Sequence, residues 1–403
     1  MRQSLIAALA ALSFVAVSAA DWPRHRGPTH DGISTETNWV HQWTGNRPRE
    51  AWRASVNTGF AAVAVAGGRA FTVGNTNETD TVHALDADTG KPLWTFSHPE
   101  PSNPKMYEGG PNSTPTVDGD RLFVASRSGR LFSLESATGK VQWSNDLAAV
   151  VGEKNGDWGL AGSPLRSGDA VYVNYGSAMV ALEAATGRTL WQSAKEPKGK
   201  YSFTSPVLSA VVGTPVLLAH MHKALFGLDP VDGRVRWRHE FGRGYETHCS
   251  DPVLVAGGVF ISSGDDGGEL VSLGSDAGSR VWKNGDLGTF TGTAVALNGY
   301  LSGVDSGGYK KGQQELRCLN ARDGRQLWSL SGFSQDSWIA AGDRLLVLTE
   351  LGELVVVRIG PERGEILARA QVLSGKCWTE PSLANGRLYC RNARGQIVCL
   401  DLR

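Results

Sequence analysis

The stretch from Val82 to Trp94, VHALDADTGKPLW, is rewritten along this chain almost to its last residue. It returns as LFSLESATGKVQW (131–143), MVALEAATGRTLW (179–191), LFGLDPVDGRVRW (225–237), LVSLGSDAGSRVW (270–282) and LRCLNARDGRQLW (316–328). A seventh copy, LVVVRIGPERGEILA (354–368), keeps Gly364 but has Ala368 in place of the tryptophan, and GQIVCLDL (395–402) stops before any turn. Each copy reads as a β-hairpin: the apolar run suits a strand, and the glycine accepts the positive φ of a tight turn with a G1 bulge. The indole at a fixed offset after the turn lies on one face of the returning strand, where it can bury roughly 150–250 Å². One copy cannot hide that surface alone, so copies must stack.

The period sets the architecture. Gly90, Gly139, Gly187, Gly233, Gly278, Gly324 and Gly364 stand 49, 48, 46, 45, 46 and 40 residues apart, the interval of a four-stranded propeller blade and not of a helical repeat. Helical periodicity is almost absent. Trp52, Trp94, Trp143, Trp191, Trp237, Trp282, Trp328 and the degenerate Ala368 make eight positions. Trp52, in REAWRASV, has no hairpin before it, and 395–402 has none after it. The expected fold is therefore all-β: an eight-bladed propeller of four-stranded antiparallel blades over 48–403, closed by the N-terminal strand so that no sheet edge is left free.

The pattern A-x-D-x-x-T-G-K-x-x-W, present from Ala84 to Trp94, resembles the tryptophan-docking motif of the PQQ-type β-propellers. That family includes quinoprotein alcohol dehydrogenases and the BamB-like outer-membrane assembly factors. The resemblance covers about residues 48–402 and implies the fold. It does not imply one activity, since the matching residues are structural in every member and one fold hosts several functions.

Residues 1–20 set Arg2 before an apolar run from Leu5 to Val17 and end in Ser18-Ala19-Ala20, the pattern of a Sec signal peptide cleaved after Ala20. The run is shorter than the roughly 20 residues needed to span a bilayer. No cysteine stands near the cleavage site, unlike a lipoprotein of the BamB kind. A monomeric product in the periplasm or outside the cell is expected, with no integral membrane segment. Forty basic residues against forty acidic ones argue against nucleic acid as the main partner. Residues 21–47 stand outside the repeat. Their first part, DWPRHRGPTHDGISTETN (21–38), resembles the W-P-x-x-R-G-P-x-x-D-G segment ahead of many exported PQQ-like propellers. It reads either as an extended cap pinned under the ring by Trp22 or as a site lined by Arg24, His25, Arg26, His30 and Asp31.

Aligning the blades puts Ala61, Thr114, Ser163, Ser205, Asp251, Thr293, Ser337 and Glu380 at the heads of the innermost strands, around the central channel. Small hydroxyls dominate. Asp251 and Glu380 break the rule, either as functional carboxylates or as solvated groups balancing a nearby Arg or Lys. Replacing both is expected to alter binding and not stability. The long loops 103–112, 147–161, 196–203 and 241–249 carry Tyr107, Asn112, Trp158, Tyr201, Phe203, Tyr245 and His248 to one rim, which Trp338 and Trp378 approach from the opposite side. Aromatic faces with a few polar groups suit a flat or sugar-like ligand, a protein partner, or the packing of loops over the channel mouth.

His220 and His222, in AHMHK, alternate on a strand and are candidates to share a metal with Asp251 or His248. Five cysteines, Cys249, Cys318, Cys377, Cys390 and Cys399, leave at least one unpaired within a chain, and Cys390 and Cys399 either bridge or pack on adjacent strands. The quinoprotein alcohol dehydrogenases place PQQ against a vicinal disulfide, with a carboxylate-bound Ca²⁺ and an Asp base. Here no two cysteines are adjacent, and Asp251, Glu380 and Asn112 alone are left to stand in for the ion's ligands. No C-x-x-C-H, G-x-S-x-G, H-E-x-x-H or phosphate loop occurs. GDDGG (264–268) lacks the EF-hand ligand spacing and reads as a turn. The favoured reading is an exported, non-catalytic propeller that binds a protein partner or small ligand through its loop-rich face. One alternative is a PQQ-dependent alcohol or sugar dehydrogenase, with Asp251 as base and Trp158 or Trp378 stacking on the cofactor. The other is a carbohydrate-binding or carbohydrate-active propeller.

Overall fold

Short apolar runs separated by tight glycine turns pair with the next run in sequence, because a two-residue turn returns the chain antiparallel to itself. In the computed structural model, which describes residues 20–43, 45, 47–105, 107–195, 203–221, 223–242, 249–307 and 314–403, these pairings build eight sheets. Seven blades occupy 64–99, 116–146, 165–192, 207–240, 253–284, 295–331 and 337–371. The eighth takes three strands from 382–401 and its outermost strand, Arg49–Ser55, from the other end of the chain. Arg49–Ser55 runs antiparallel to Gln396–Asp401 with Trp52 opposite Cys399, and this pairing closes the ring. Among the described residues the one α-helix is the short Leu147–Val151, and no helix is long and apolar enough to cross a membrane.

The core lies between blades. The middle strands are buried on both faces, as in Ala170–Tyr175 and Ala178–Glu183, whereas an outer strand such as Val235–Glu240 is half exposed. Phe123 and Leu131 of blade two thus share one apolar cluster with Val171 and Val180 of blade three. The outer-strand indole of every blade but the seventh seals the junction by lying on the turn glycine of the next. A β-carbon at Gly139 would fall 2.5 Å from the Trp94 ring, one at Gly187 2.5 Å from Trp143, and one at Gly324 2.6 Å from Trp282. Glycine is required twice over, since φ at Gly139 is also +75°. The indole N–H of Trp52, Trp94, Trp143, Trp191, Trp282 and Trp328 donates to a carbonyl of the neighbouring blade at 2.7–3.1 Å.

Two departures from the repeat have physical causes. The N–H of Trp237 finds no partner. In blade five Gly274 stands where the five other tryptophan-bearing turns have Asp86, Glu135, Glu183, Asp229 or Asn320, whose side chains brace the corner. The turn opens, Gly278 N–H donating to Ser272 O instead of to the residue four back. Ala368 faces blade eight, whose third and outermost strands come from opposite ends of the chain, so there is no turn glycine for an indole to cover.

The cysteines of blade eight do not bridge. Cys390 pairs with Val398 and Cys399 with Tyr389, which sends the two side chains to opposite faces of the sheet. All five thiols are free.

Candidate functional site

A segment with prolines and no apolar period has no hairpin register of its own. Residues 21–34 instead cross the end of the channel opposite the blade-to-blade loops, at the C-terminal ends of the innermost strands. Trp22, buried, exchanges two backbone hydrogen bonds of 2.8 Å with Val65 of blade one. Val117 N–H of blade two donates to Pro23 O, and Arg24 donates to Arg166 O of blade three at 3.4 Å. Ile33–Ser34 adds a parallel strand to Ser337–Ala341 of blade seven. His25 and Arg26 reach blades five, six and eight.

The Arg26 guanidinium is 2 % exposed. Its Nη2 donates to the carbonyls of Asp31 and Ala294 at 2.8 Å, and its Nη1 to Thr293 O at 3.2 Å and to Glu380 Oε1 at 3.0 Å. Arg26 and Gly27 both take positive φ, 58° and 77°, and a β-carbon at Gly27 would strike the Trp22 ring. The turn that aims the guanidinium therefore depends on that glycine. The His25 ring lies between both carboxylates, Nε2 at 2.9 Å from Asp251 Oδ2 and Nδ1 at 3.7 Å from Glu380 Oε2. Burial works against the charge on His25, but Glu380 and Asp251 outweigh it and raise its pKa above the ordinary value. Its neighbour His30 goes the other way, pushed down to about 3 by burial and by Arg24, so it stays neutral.

These contacts revise the expectation for the channel. Asp251 and Glu380 are not solvated: their side chains are 4 % and 8 % exposed, and His25 and Arg26 close them off. The hydroxyl ring is a belt, in which the head of one blade donates a backbone N–H to the side chain of the next. Ala62 donates to Thr114, Thr114 to Ser163, Ser163 to Ser205, Ser205 to Asp251 Oδ1 and Asp251 to Thr293, at 2.6–3.1 Å. Asp251 is one link of that belt. A Ca²⁺ held for PQQ does not fit here. The space beside the two carboxylates is taken by a guanidinium and an imidazole, and the Asn112 amide lies 3.4 Å from the Tyr107 hydroxyl instead of joining them.

His220 is inside the strand Thr214–Met221, fully buried, with its ring 5.4 Å from that of Phe241. Among the described residues no three of His, Cys, Asp or Glu are grouped to hold a metal ion. His222, Tyr201, Tyr245 and His248 lie outside the described residues.

The loop-rich rim does bring aromatic rings together. Trp158 stacks on Tyr107 at 5.3 Å and 24°, Tyr107 lies 5.4 Å from Phe60, and Phe60 lies 6.1 Å from Trp378. Trp378 Nε1 donates to Glu350, and Lys376 Nζ sits 4.2 Å from the centre of its ring. All four rings are half-buried. Trp338 is not among them: it is 1 % exposed and packed in the core between blades six and seven, where β-carbons at Gly292 and Gly303 would meet its ring. Phe203 is likewise buried. Phe60 was missed by sequence, although an aromatic immediately before the strand head at Ala61 is the signal that would have found it. Arg391 was missed too. Its wholly buried guanidinium donates to the carbonyls of Asn57, Ala61 and Val73 and to Thr72, and burial lowers its pKa to about 9.

Comparison with known proteins agrees with this architecture. The family model described as outer membrane protein assembly factor BamB matches residues 39–110, 78–330 and 312–403. The BamB of Yersinia pestis is 26% identical over 299 residues, 70% of this chain and 72% of that protein. A polyvinylalcohol dehydrogenase of a Pseudomonas species is 30% identical over 171 residues, 38% of this chain, and the match spans a quarter (25%) of that enzyme's length. Among solved structures, the quinohemoprotein alcohol dehydrogenase of Comamonas testosteroni superposes with a TM-score of 0.73 at 14% identity, covering 95% of this chain and 80% of that one. The BamB of Moraxella catarrhalis superposes with a TM-score of 0.66 at 16% identity, covering 88% and 100%. At these identities the superpositions speak to the fold alone.

Proposed function

Because the chain belongs to the PQQ-like propeller family described as outer membrane protein assembly factor BamB, we propose that it is an exported, non-catalytic propeller that binds a protein partner or small ligand on its loop-rich face. One observation carries the reading: both channel carboxylates, the groups a dehydrogenase would use as base and ion ligand, are engaged by His25 and Arg26 of the same chain. Such paired, buried charges position a segment and do not present an open site. The half-buried arc of Trp378, Phe60, Tyr107 and Trp158 supplies instead the aromatic surface on which recognition concentrates. In this reading residues 1–20 are the signal peptide, 21–47 the extension and 48–403 the ring, and the mature monomer works in the periplasm or beyond it.

The test is to add PQQ and Ca²⁺ to the purified protein and to follow both the cofactor's absorbance and the reduction of an electron-accepting dye by alcohols and sugars. The expected outcome is no change in either. Saturable PQQ binding with alcohol-dependent dye reduction would overturn the proposal in favour of a dehydrogenase.

A further inference from the structure

On the loop-rich face a cleft of ≈ 340 Å³ opens between the corner of blade two, the loop leaving blade one and the loop that enters blade three. We propose that this cleft binds an acidic saccharide, with the sugar's carboxylate on Arg130, Lys154 and Arg127 and a neighbouring ring on the Trp158–Tyr107 stack. The inference rests on the scaffold reading above and names its ligand.

The charges of the cleft are arranged unequally. Its two carboxylates are turned toward the chain itself: Glu100 accepts from the Ser128 N–H and hydroxyl at 2.8 Å each, and Asp146 accepts from the Ala148 and Ala149 N–H groups at the head of the short helix. Its three cations are not so engaged. Among the described residues no carboxylate lies within ion-pairing distance of Arg127, Arg130 or Lys154, and Arg130 and Lys154 are exposed. Arg127 is 4 % exposed and gives Nη2 to the Asp157 carbonyl, while its Nε and both amide atoms of Asn155, also in the cleft wall, have no partner. Buried polar groups are normally satisfied, so a cluster of exceptions in one wall calls for an explanation. A ligand bearing several oxygens supplies one.

The aromatic arc adjoins that wall along the chain, since Trp158 directly precedes the lining residue Gly159. The Asp157 carbonyl that holds Arg127 also accepts from Asn103 Nδ2, and the next residue is Trp158, stacked on Tyr107. Cations that grip a planar carboxylate thus stand beside a flat apolar surface on which a sugar ring can lie. The volume is at the lower end of the roughly 300–1,000 Å³ of small-molecule sites, which suits one or two sugar rings. A phosphate alone would leave the aromatic surface unused, and an acidic peptide would not need it.

The experiment is a calorimetric titration of the full mature chain with trigalacturonate, maltotriose, triglutamate and inorganic phosphate. Trigalacturonate is expected to bind saturably and to weaken with added salt. The double variant Arg130→Gln/Lys154→Gln and the single variant Trp158→Ala should each lower its affinity at least tenfold. Both carry substitutions at exposed or half-exposed positions, and unchanged melting temperatures would confirm that they fold. Maltotriose binding as tightly as trigalacturonate, triglutamate binding as tightly and indifferent to Trp158→Ala, phosphate binding with full affinity, or no binding by any of the four would each overturn the proposal. PQQ-dependent dye reduction would instead overturn the scaffold reading, so the two failures are distinguishable.

Discussion

Arg26 and His25 meet carboxylates that stand 354 and 226 positions away in the chain, and each side chain carries its own prediction. Replacing Arg26 with Met leaves buried Glu380 with only the more distant His25 opposite it, which should cost about 3–5 kcal/mol in denaturant melts. The double change Asp251→Asn/Glu380→Gln should destabilise as well, since it strands Arg26 and weakens the belt. The sequence suggested an effect on binding only, and an unchanged melt would restore that view. His25 makes stability depend on pH. Its folded pKa is raised, so its contribution is fully present below the unfolded value of about 6.5 and is lost as pH rises through the folded one. Arg26 and His30 also face it, so the clean measurement is a difference. The gap in melting temperature between wild type and His25→Gln should be largest near pH ~5.5 and vanish well above the raised value. A gap constant with pH would refute the charged contact. The sequence singled out Asp251 and Glu380 as departures from a rule and His25 and Arg26 as polar residues of a cap. It did not show that they meet, because no periodicity links the extension to the channel.

Among elements, the hairpin corner was the most legible, because its glycine and indole are local requirements repeated at a fixed spacing. Truncating Trp143 to Ala should cost about 3–5 kcal/mol through the cavity left on Gly187. Trp237→Ala should cost roughly 1 kcal/mol less, since no hydrogen bond is lost. Equal losses for both in urea melts would contradict the role given to the indole N–H. The open corner of blade five was also on view in the sequence, as Gly274 in a position held by Asp, Glu or Asn in the five other copies that keep the tryptophan. The rim loops were not legible to the same degree. Their rings assemble through contacts between neighbouring loops, and a composition rich in aromatics cannot tell Trp338, sunk between blades, from Trp378, which lines the arc.

The molecule as a whole is held by two devices from the same end of the chain. Arg49–Ser55 closes the ring, and residues 21–34 tie blades one, two, three, five, six, seven and eight together across the channel. A chain beginning at Trp39 should keep the closed ring but melt at a lower temperature and over a broader range, as blades lose their common tie. Calorimetry would show it, and an unchanged sharp transition would mean that the segment only rests against the ring. The eightfold closure followed from counting seven indoles and the degenerate Ala368, whereas the tie depends on pairings between distant residues that no repeat records. Its consequence is one of traffic. A ring crossed at one end by its own chain is expected to act as a cup and not a tunnel: a visitor to its interior would depart by the mouth it came in by, and one seated on the lip would govern arrival and escape alike.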